Sequence, residues 1–453
     1  MISPLLAARL QMAFSLGFHM LFAAAGMALP LMMVIAEGRW LRTGDPDALR
    51  LAKTWGKATA VLFALGAVSG TALSFELGLL WPRFMAFAGP LIGPAFAIEG
   101  YAFFIEAIFL GLYLYSWNRL SPLVHWLCGV AVVVSGVSSG IIVLATVSWM
   151  HSPAGFRLEP DGSLVNIDPL AAIFNPAFGL MAAHSTVSTY QAIGFAIAGV
   201  YAWALLRNRR PARVHYNRMA IVIAMLLAAP AALAQPVLGD LLATRLYHEQ
   251  PTKLAAMESQ FFTERGAPLR IGGWPDPEAC DTYWAIEIPK GLSYLAARDP
   301  DAIVRGLEEF PRDEWPPVQI VHPAFQVMVG SGVVMLAIAA WFWWAWWREG
   351  RRGRDWTSHR WLLVALALAT PLGFLALESG WVVTEVGRQP WIIYRIMRTH
   401  QAVTPIEEVF VSLAGFVVLY TGLIATLALL LRRMARGEGE KAEVGQEERD
   451  VHY

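Results

Sequence analysis

Glu99 and Glu106 stand seven residues apart in one apolar stretch, and Glu378 and Glu385 repeat that interval in another. At about 100° per residue a helix puts each pair almost on one face, two turns apart. A carboxylate at lipid depth is costly unless a proton, cation or metal meets it. Few lysines or arginines lie inside the apolar stretches, so beside plain salt bridges the chemistry to consider is a protonated group, metal ligation or a proton route. His19, in Gly17-Phe18-His19-Met20, is either a satisfied core histidine or a neutral imidazole able to bind haem iron. His184 follows Ala182-Ala183, small neighbours that let a flat macrocycle approach. A lone methionine such as Met328 usually fills core space. Yet a histidine and a methionine from different spans also make the six-coordinate low-spin site suited to electron transfer, and spacing alone does not pair them.

These residues need a membrane scaffold. The 453-residue chain is 56% hydrophobic and 15% charged, with 19 tryptophans, and its mean hydropathy is +0.47. That balance indicates an all-α polytopic membrane protein. Nine stretches are long enough to cross as helices, near 12–36, 55–77, 92–116, 124–149, 177–206, 216–236, 320–347, 359–384 and 407–431. The first lacks a convincing cleavage site and reads as a retained span. Arg39, Arg42, Arg50, Lys53, Arg119, Arg207, Arg209, Arg210 and Arg213 fall on one side of this arrangement. Arg348, Arg351, Arg352, Arg354, Arg432, Arg433 and Arg436 fall there too, which places the N-terminus outside and the C-terminus in the cytoplasm. Arg388, Arg395 and Arg398 lie on the opposite side, as cations serving a site would. Trp341, Trp343, Trp344, Trp346 and Trp347 read as an interfacial aromatic belt.

Between six spans in 1–236 and three in 320–431, residues 237–319 form an extracytoplasmic loop longer than a connection needs, a surface for a substrate, a quinone or a partner. Pro251–Glu258 is helix-compatible, Gly272–Pro277 reads as turns, and a second helix is expected near 301–308. Lys253 and Glu258 are either solvated helix charges or the donor and acceptor that orient a quinol headgroup and take its protons. Residues 432–453 form a charged cytoplasmic tail that frays. A formal net charge of zero gives no case for nucleic-acid binding. Cys128 and Cys280 sit in unlike settings and predict neither a disulfide nor an iron–sulfur or zinc site. No phosphate-cradling loop, zinc-protease motif or nucleophile elbow is present.

The run Gly380-Trp381 through Gly387-Arg388-Gln389-Pro390-Trp391 resembles the signature of subunit I of the cytochrome bd quinol oxidases. The likeness extends in order through Phe18-His19, Trp55-Gly56-Lys57, Ala97-Ile98-Glu99-Gly100, His184 with Ser188, Lys253–Glu258 and Ile286–Lys290. The resemblance, which takes in the cyanide-insensitive branch, implies nine transmembrane helices with an extracytoplasmic quinol-binding loop and three haems. It implies His184 and Met328 as ligands of haem b558, His19 at the oxygen-reducing haem d or a third b-type haem in its place, and Glu385 at haem b595. Glu99 matches a ligand or proton donor at the oxygen-reducing haem, and Glu106 the next member of a proton route. Lys253 and Glu258 match functional positions of the quinol loop, and Arg388 a neighbour of propionates or the quinol.

The implied reaction oxidises a membrane quinol at the outer face and reduces O2 to water with cytoplasmic protons, in a bacterial inner membrane. The implied partners are a polytopic subunit II and, often, a small single-span subunit. Two positions depart from the family pattern. Gln326 stands where an arginine is common, and the Glu99-to-Glu106 interval is seven rather than eight, which turns Glu106 by about 100° unless a bulge compensates. A proton-coupled secondary transporter would explain the carboxylates but not the His/Met set, and no duplicated half with broken helices is evident. A haem-binding electron-transfer or assembly subunit without oxygen chemistry would not need His19, Glu99 and Glu385 together.

Overall fold

The computed structural model describes residues 3–208, 211–406 and 408–450; Arg209, Arg210 and residues 451–453 of the expected tail lie outside the described residues. The long helices are α1 (Pro4–Thr43), α2 (Pro46–Leu80), α3 (Pro82–Tyr115) and α4 (Pro122–His151), then, after the short α5 (Pro169–Ile173), α6 (Phe178–Arg207) and α7 (Pro211–Glu249). Past the loop helices α8 (Pro251–Glu258) and α9 (Gly291–Ala297) come α10 (Val318–Arg351), α11 (Arg360–Leu368), α12 (Leu372–Val386), the one-turn α13 (Thr399–Ala402) and α14 (Val409–Asp450). Among the described residues nine helical spans are long and apolar enough to cross a membrane, as expected.

Local chemistry explains where helices begin. Seven of them open on proline, whose fixed φ suits the first helical position and whose missing N–H is not needed there. Ser3 caps α1 by accepting from Leu6 N at 3.2 Å, and Asp45 caps α2 by accepting from Asp47 N at 3.0 Å.

The eighth span is two helices rather than one. Thr370 and Pro371 separate α11 from α12: proline supplies no N–H, disfavours helix in the residue before it, and the Thr370 hydroxyl donates to Ala367 O at 2.8 Å. The sixth span continues as helix to Glu249, where Arg245 and Glu249 pair four residues apart at 2.7 Å, so the loop proper is 250–317. Helix α14 likewise continues through the expected tail to Asp450.

The principal core lies where α1, α6, α7 and α10–α12 meet, around Met32, Phe195, Ile221 and Leu366. Small residues set the helix spacing. A side-chain carbon at Gly199 would lie 2.6 Å from Leu366 O, and one at Gly373 would lie 2.5 Å from Ala192 Cα. On the arginine-rich side Arg348 stacks over Trp344 at 4.8 Å and Arg351 over Trp347 at 4.4 Å, in keeping with the aromatic belt.

Small strand pairs decorate this helical body. β1 (Arg157–Leu158) pairs with β2 (Leu164–Val165), and β9 (Trp391–Ile393) with β10 (Met397–Arg398). In the loop three antiparallel pairs nest inside one another: β3 (Glu264–Arg265) with β8 (Ile303–Val304), β4 (Leu269–Ile271) with β7 (Ile286–Ile288), and β5 (Trp274–Asp276) with β6 (Asp281–Tyr283). The helix expected near 301–308 is therefore β8 followed by a 3-10 turn at Leu307–Glu309; the helical turn lies earlier, in α9. Ile303 and Val304 are β-branched and find a partner strand, which overrides helical propensity. Of the stretch read as turns, Gly272 and Gly273 do turn the chain at φ +67° and +95°, whereas Trp274–Asp276 is strand β5, held extended by its pairing with β6. Cys128 and Cys280 are free thiols.

Candidate functional site

Several of the side chains singled out from the sequence face a glycine on a neighbouring helix. A carbon added at Gly70 of α2 would lie 2.9 Å from His19 Cε1, at Gly239 of α7 3.6 Å from His184 Cε1, and at Gly380 of α12 3.2 Å from Met328 Sδ. At Gly136 of α4 it would lie 3.1 Å from Glu106 Oε1, and at Gly17 of α1 3.0 Å from Glu378 Oε2. Helix surfaces are thus cut back opposite these side chains.

His19 Nδ1 lies 3.0 Å from Ser69 Oγ. The Ser69 hydroxyl also lies 2.9 Å from Leu65 O and 3.2 Å from Gly66 O, so the serine anchors one edge of the imidazole to α2. His184 Nε2 lies 3.2 Å from the Gln235 amide, while the buried Nδ1 has no partner among the described residues. His184 packs toward α7 and Met328 toward α12.

Glu99 and Glu106 both reach α4. Ser139 Oγ donates to Glu99 Oε1 at 3.0 Å, and Glu106, 5% exposed, rests at Gly136, one turn away. Helix α3 is continuous through both, so the shortened interval is accommodated without a bulge, and Glu106 Oε1 is buried without a hydrogen bond among the described residues. Glu378 Oε1 is likewise unpartnered.

A second group forms where the loop meets the end of α12. Lys253 Nζ donates to Thr384 O at 3.2 Å, and a carbon at Gly387 would lie 3.1 Å from Lys253 Cε. Arg388, buried, is paired with Glu385 and donates from Nε to Trp391 O at 3.3 Å; its Nη1 is buried without a partner among the described residues. Lys253 and Arg388 line one cleft with Thr252, Tyr394 and Arg395. Burial, reinforced by Arg388, lowers the Lys253 ammonium to about 7. Glu258, also on α8, is pushed up to about 8 by burial, which the Arg270 charge only partly opposes, and its Oε2 has no partner among the described residues.

Sequence reasoning missed Glu76, which accepts from Ser15 Oγ at 2.6 Å and Gln11 Nε2 at 3.2 Å while fully buried between α1 and α2. It also missed the Glu37–His125 pair at 2.7 Å, 0% and 2% exposed. The available signal was a carboxylate at the very end of an expected apolar stretch, Glu37 just past 12–36 and Glu76 just inside 55–77.

This assembly defines a class: a polytopic membrane protein whose interior combines imidazole, thioether and carboxylate groups, the side-chain set of a membrane cytochrome. Residues 7–439 match the family model for the cytochrome bd terminal oxidase subunit I. The chain is 37% identical to a Bacillus subtilis protein bearing the name of a cytochrome bd menaquinol oxidase subunit I, over 92% of this chain and 93% of that one. It is 32% identical to the Bacillus subtilis cytochrome bd ubiquinol oxidase subunit 1, over 96% and 94%. The bd oxidase of Geobacillus thermodenitrificans superposes with a TM-score of 0.87 at 38% identity, covering 96% of this chain and 98% of that one. The chain belongs to the cytochrome bd terminal oxidase subunit I family. Membership does not favour the transporter or assembly-subunit readings.

The family is haem-bearing, and the interior suits such a group. His19 and His184 supply imidazoles and Met328 a thioether, His184 Nδ1 and Arg388 Nη1 are buried without partners among the described residues, and glycines let the three side chains sit close against neighbouring helices.

Proposed function

We propose that this subunit carries the quinol:O2 oxidoreductase chemistry of a multi-subunit bacterial membrane oxidase, with the long loop outside and the arginine-rich face and C-terminus in the cytoplasm. The observation that carries the reading is the junction of α8 with α12. There Lys253 of the loop bonds Thr384 beside the Glu385–Arg388 pair, so substrate loop and carboxylate-bearing helix share one cluster.

His184 and Met328 would hold haem b558, Glu385 haem b595, and His19 the oxygen-reducing haem d or a b-type haem in its place. Bound there, the haems would supply one-electron transfer and oxygen reduction. At the loop face Lys253 donates a hydrogen bond to a quinol oxygen and Glu258 accepts its proton, for which a raised carboxyl affinity is suited. Two quinols release four protons outside and four electrons inward, and four cytoplasmic protons complete the water. Glu106 and Glu99, on the α3–α4 seam with Ser139, hold and pass those protons. Arg388 Nη1 orients an anionic oxygen at the same junction. Subunit II, and in some complexes a small single-span subunit, completes the assembly. Either ubiquinol or menaquinol suits the chemistry.

The test is reduced-minus-oxidised and CO-difference spectroscopy of the purified complex, joined to quinol-dependent O2 uptake. Low-spin b and CO-reactive high-spin signals with O2 uptake are expected, and a red-region chlorin band distinguishes haem d from an all-b enzyme. A complex without haem, or with low-spin b alone, rejects the oxidase reading. Met328→Leu should perturb the low-spin spectrum selectively; an unchanged spectrum and potential would remove Met328 as ligand.

A further inference from the structure

Gln326, the residue that departs from the family pattern, is engaged with the loop. Its Oε1 accepts from Gly272 N at 3.0 Å and its Nε2 donates to Arg270 O at 3.0 Å. One turn earlier on α10, His322, 0% exposed, places Nδ1 2.8 Å from Met257 O and Nε2 3.0 Å from Gly272 O. Both partners are carbonyls, so a neutral ring donates to one and an imidazolium to both. The two side chains therefore meet three consecutive points: the end of α8, the β4 strand and the Gly272 turn.

Arg270 closes the circuit. Its Nε donates to Glu287 Oε1 at 3.0 Å on the paired strand, and its Nη1 donates to Gln260 Oε1 at 2.7 Å. Glu258 thus lies between Met257, held by His322, and the Ser259–Gln260 segment, held by Arg270, which Gln326 in turn fixes through its carbonyl. None of these bonds touches the carboxyl of Glu258, whose Oε2 stays unpartnered.

We infer that His322 and Gln326 form a clasp that fixes the loop on α10 and holds Glu258 at the quinol position. This rests on the functional reading above. Both are positioning residues: they set how well the loop presents its acid, not whether electrons flow once quinol is bound. Because six residues separate His322 from Met328 on one helix, the clasp also ties the loop to the helix that carries the thioether.

The test uses the purified complex with a soluble short-chain quinol, alongside hydrogen exchange of peptides covering 269–276. In the wild type the Gly272 amide is protected. Gln326→Leu and His322→Leu each speed that exchange at least about tenfold and raise the quinol KM at least about fivefold, with kcat within about twofold and haem spectra unchanged. His322→Gln, which still donates one hydrogen bond, recovers most of the KM. Wild-type exchange at the unprotected rate overturns the clasp without reference to any variant. Unchanged KM in both leucine variants, or equal losses of kcat and haem, overturns the positioning role. A wild-type complex without quinol turnover overturns the functional reading alone, because exchange still reads the clasp.

Discussion

Lys253 and Glu258 show how one short helix shifts two proton affinities in opposite directions about 7.5 Å of helix rise apart. Burial holds a proton on Glu258 up to about 8, whereas the unfolded carboxyl releases it near the usual carboxylate range. Between those limits the folded loop binds more protons than the unfolded one, so rising pH weakens it. Lys253 runs the other way: folded, it releases its proton near 7, so its burial penalty is greatest at low pH and is relieved as pH rises toward the ordinary lysine range. Quinol oxidation should therefore climb through about pH 8 as Glu258 ionises. Glu258→Gln should flatten that climb and lower kcat/KM by about 10²–10⁴-fold, measured as quinol-dependent O2 uptake across pH 6–9. Lys253→Met should raise KM and spare the haem spectra, since the hydrogen bond it removes is to a backbone carbonyl.

At the scale of helices, glycine does two jobs. Gly199 and Gly373 bring backbones together, and Gly199→Val should cost the complex at least about 2 kcal/mol, seen as a lower temperature of thermal unfolding. Gly70 and Gly136 instead make room beside polar groups. Gly70→Val should leave the fold intact but disturb whatever occupies the His19 side, read as a changed high-spin spectrum with an unchanged low-spin one. The broken eighth span follows from Pro371, and α12 is thereby free to take its own direction toward the loop.

Across the molecule, apolar stretches of about twenty residues announced the nine spans, because lipid solvation leaves few other ways to satisfy a backbone. His19, His184 and Met328 were legible as unusual types in those spans, and Glu99 and Glu106 by interval. What sequence concealed depends on partners far along the chain: Glu37 meets His125, Glu76 meets Ser15, and Gln326 meets Gly272. The β8 strand was hidden for the same reason, since its pairing partner lies some forty residues earlier. Orientation is checked at this scale by thiol labelling. Cys280 is partly exposed at the loop tip and Cys128 is buried, so a membrane-impermeant maleimide should label Cys280 in intact cells and not in inverted vesicles; the reverse pattern would sink the proposed topology. The nested pairs of the loop carry one more consequence. Since β3–β8 closes the base, both ends are pinned before the tip at 277–280 is reached, and chain added at that tip enlarges a single loop whose closure entropy costs only about 0.6 kcal/mol per doubling of length. Loop length is therefore a nearly free variable of this architecture, and a peptide tag inserted between Pro277 and Cys280 should leave the membrane half undisturbed.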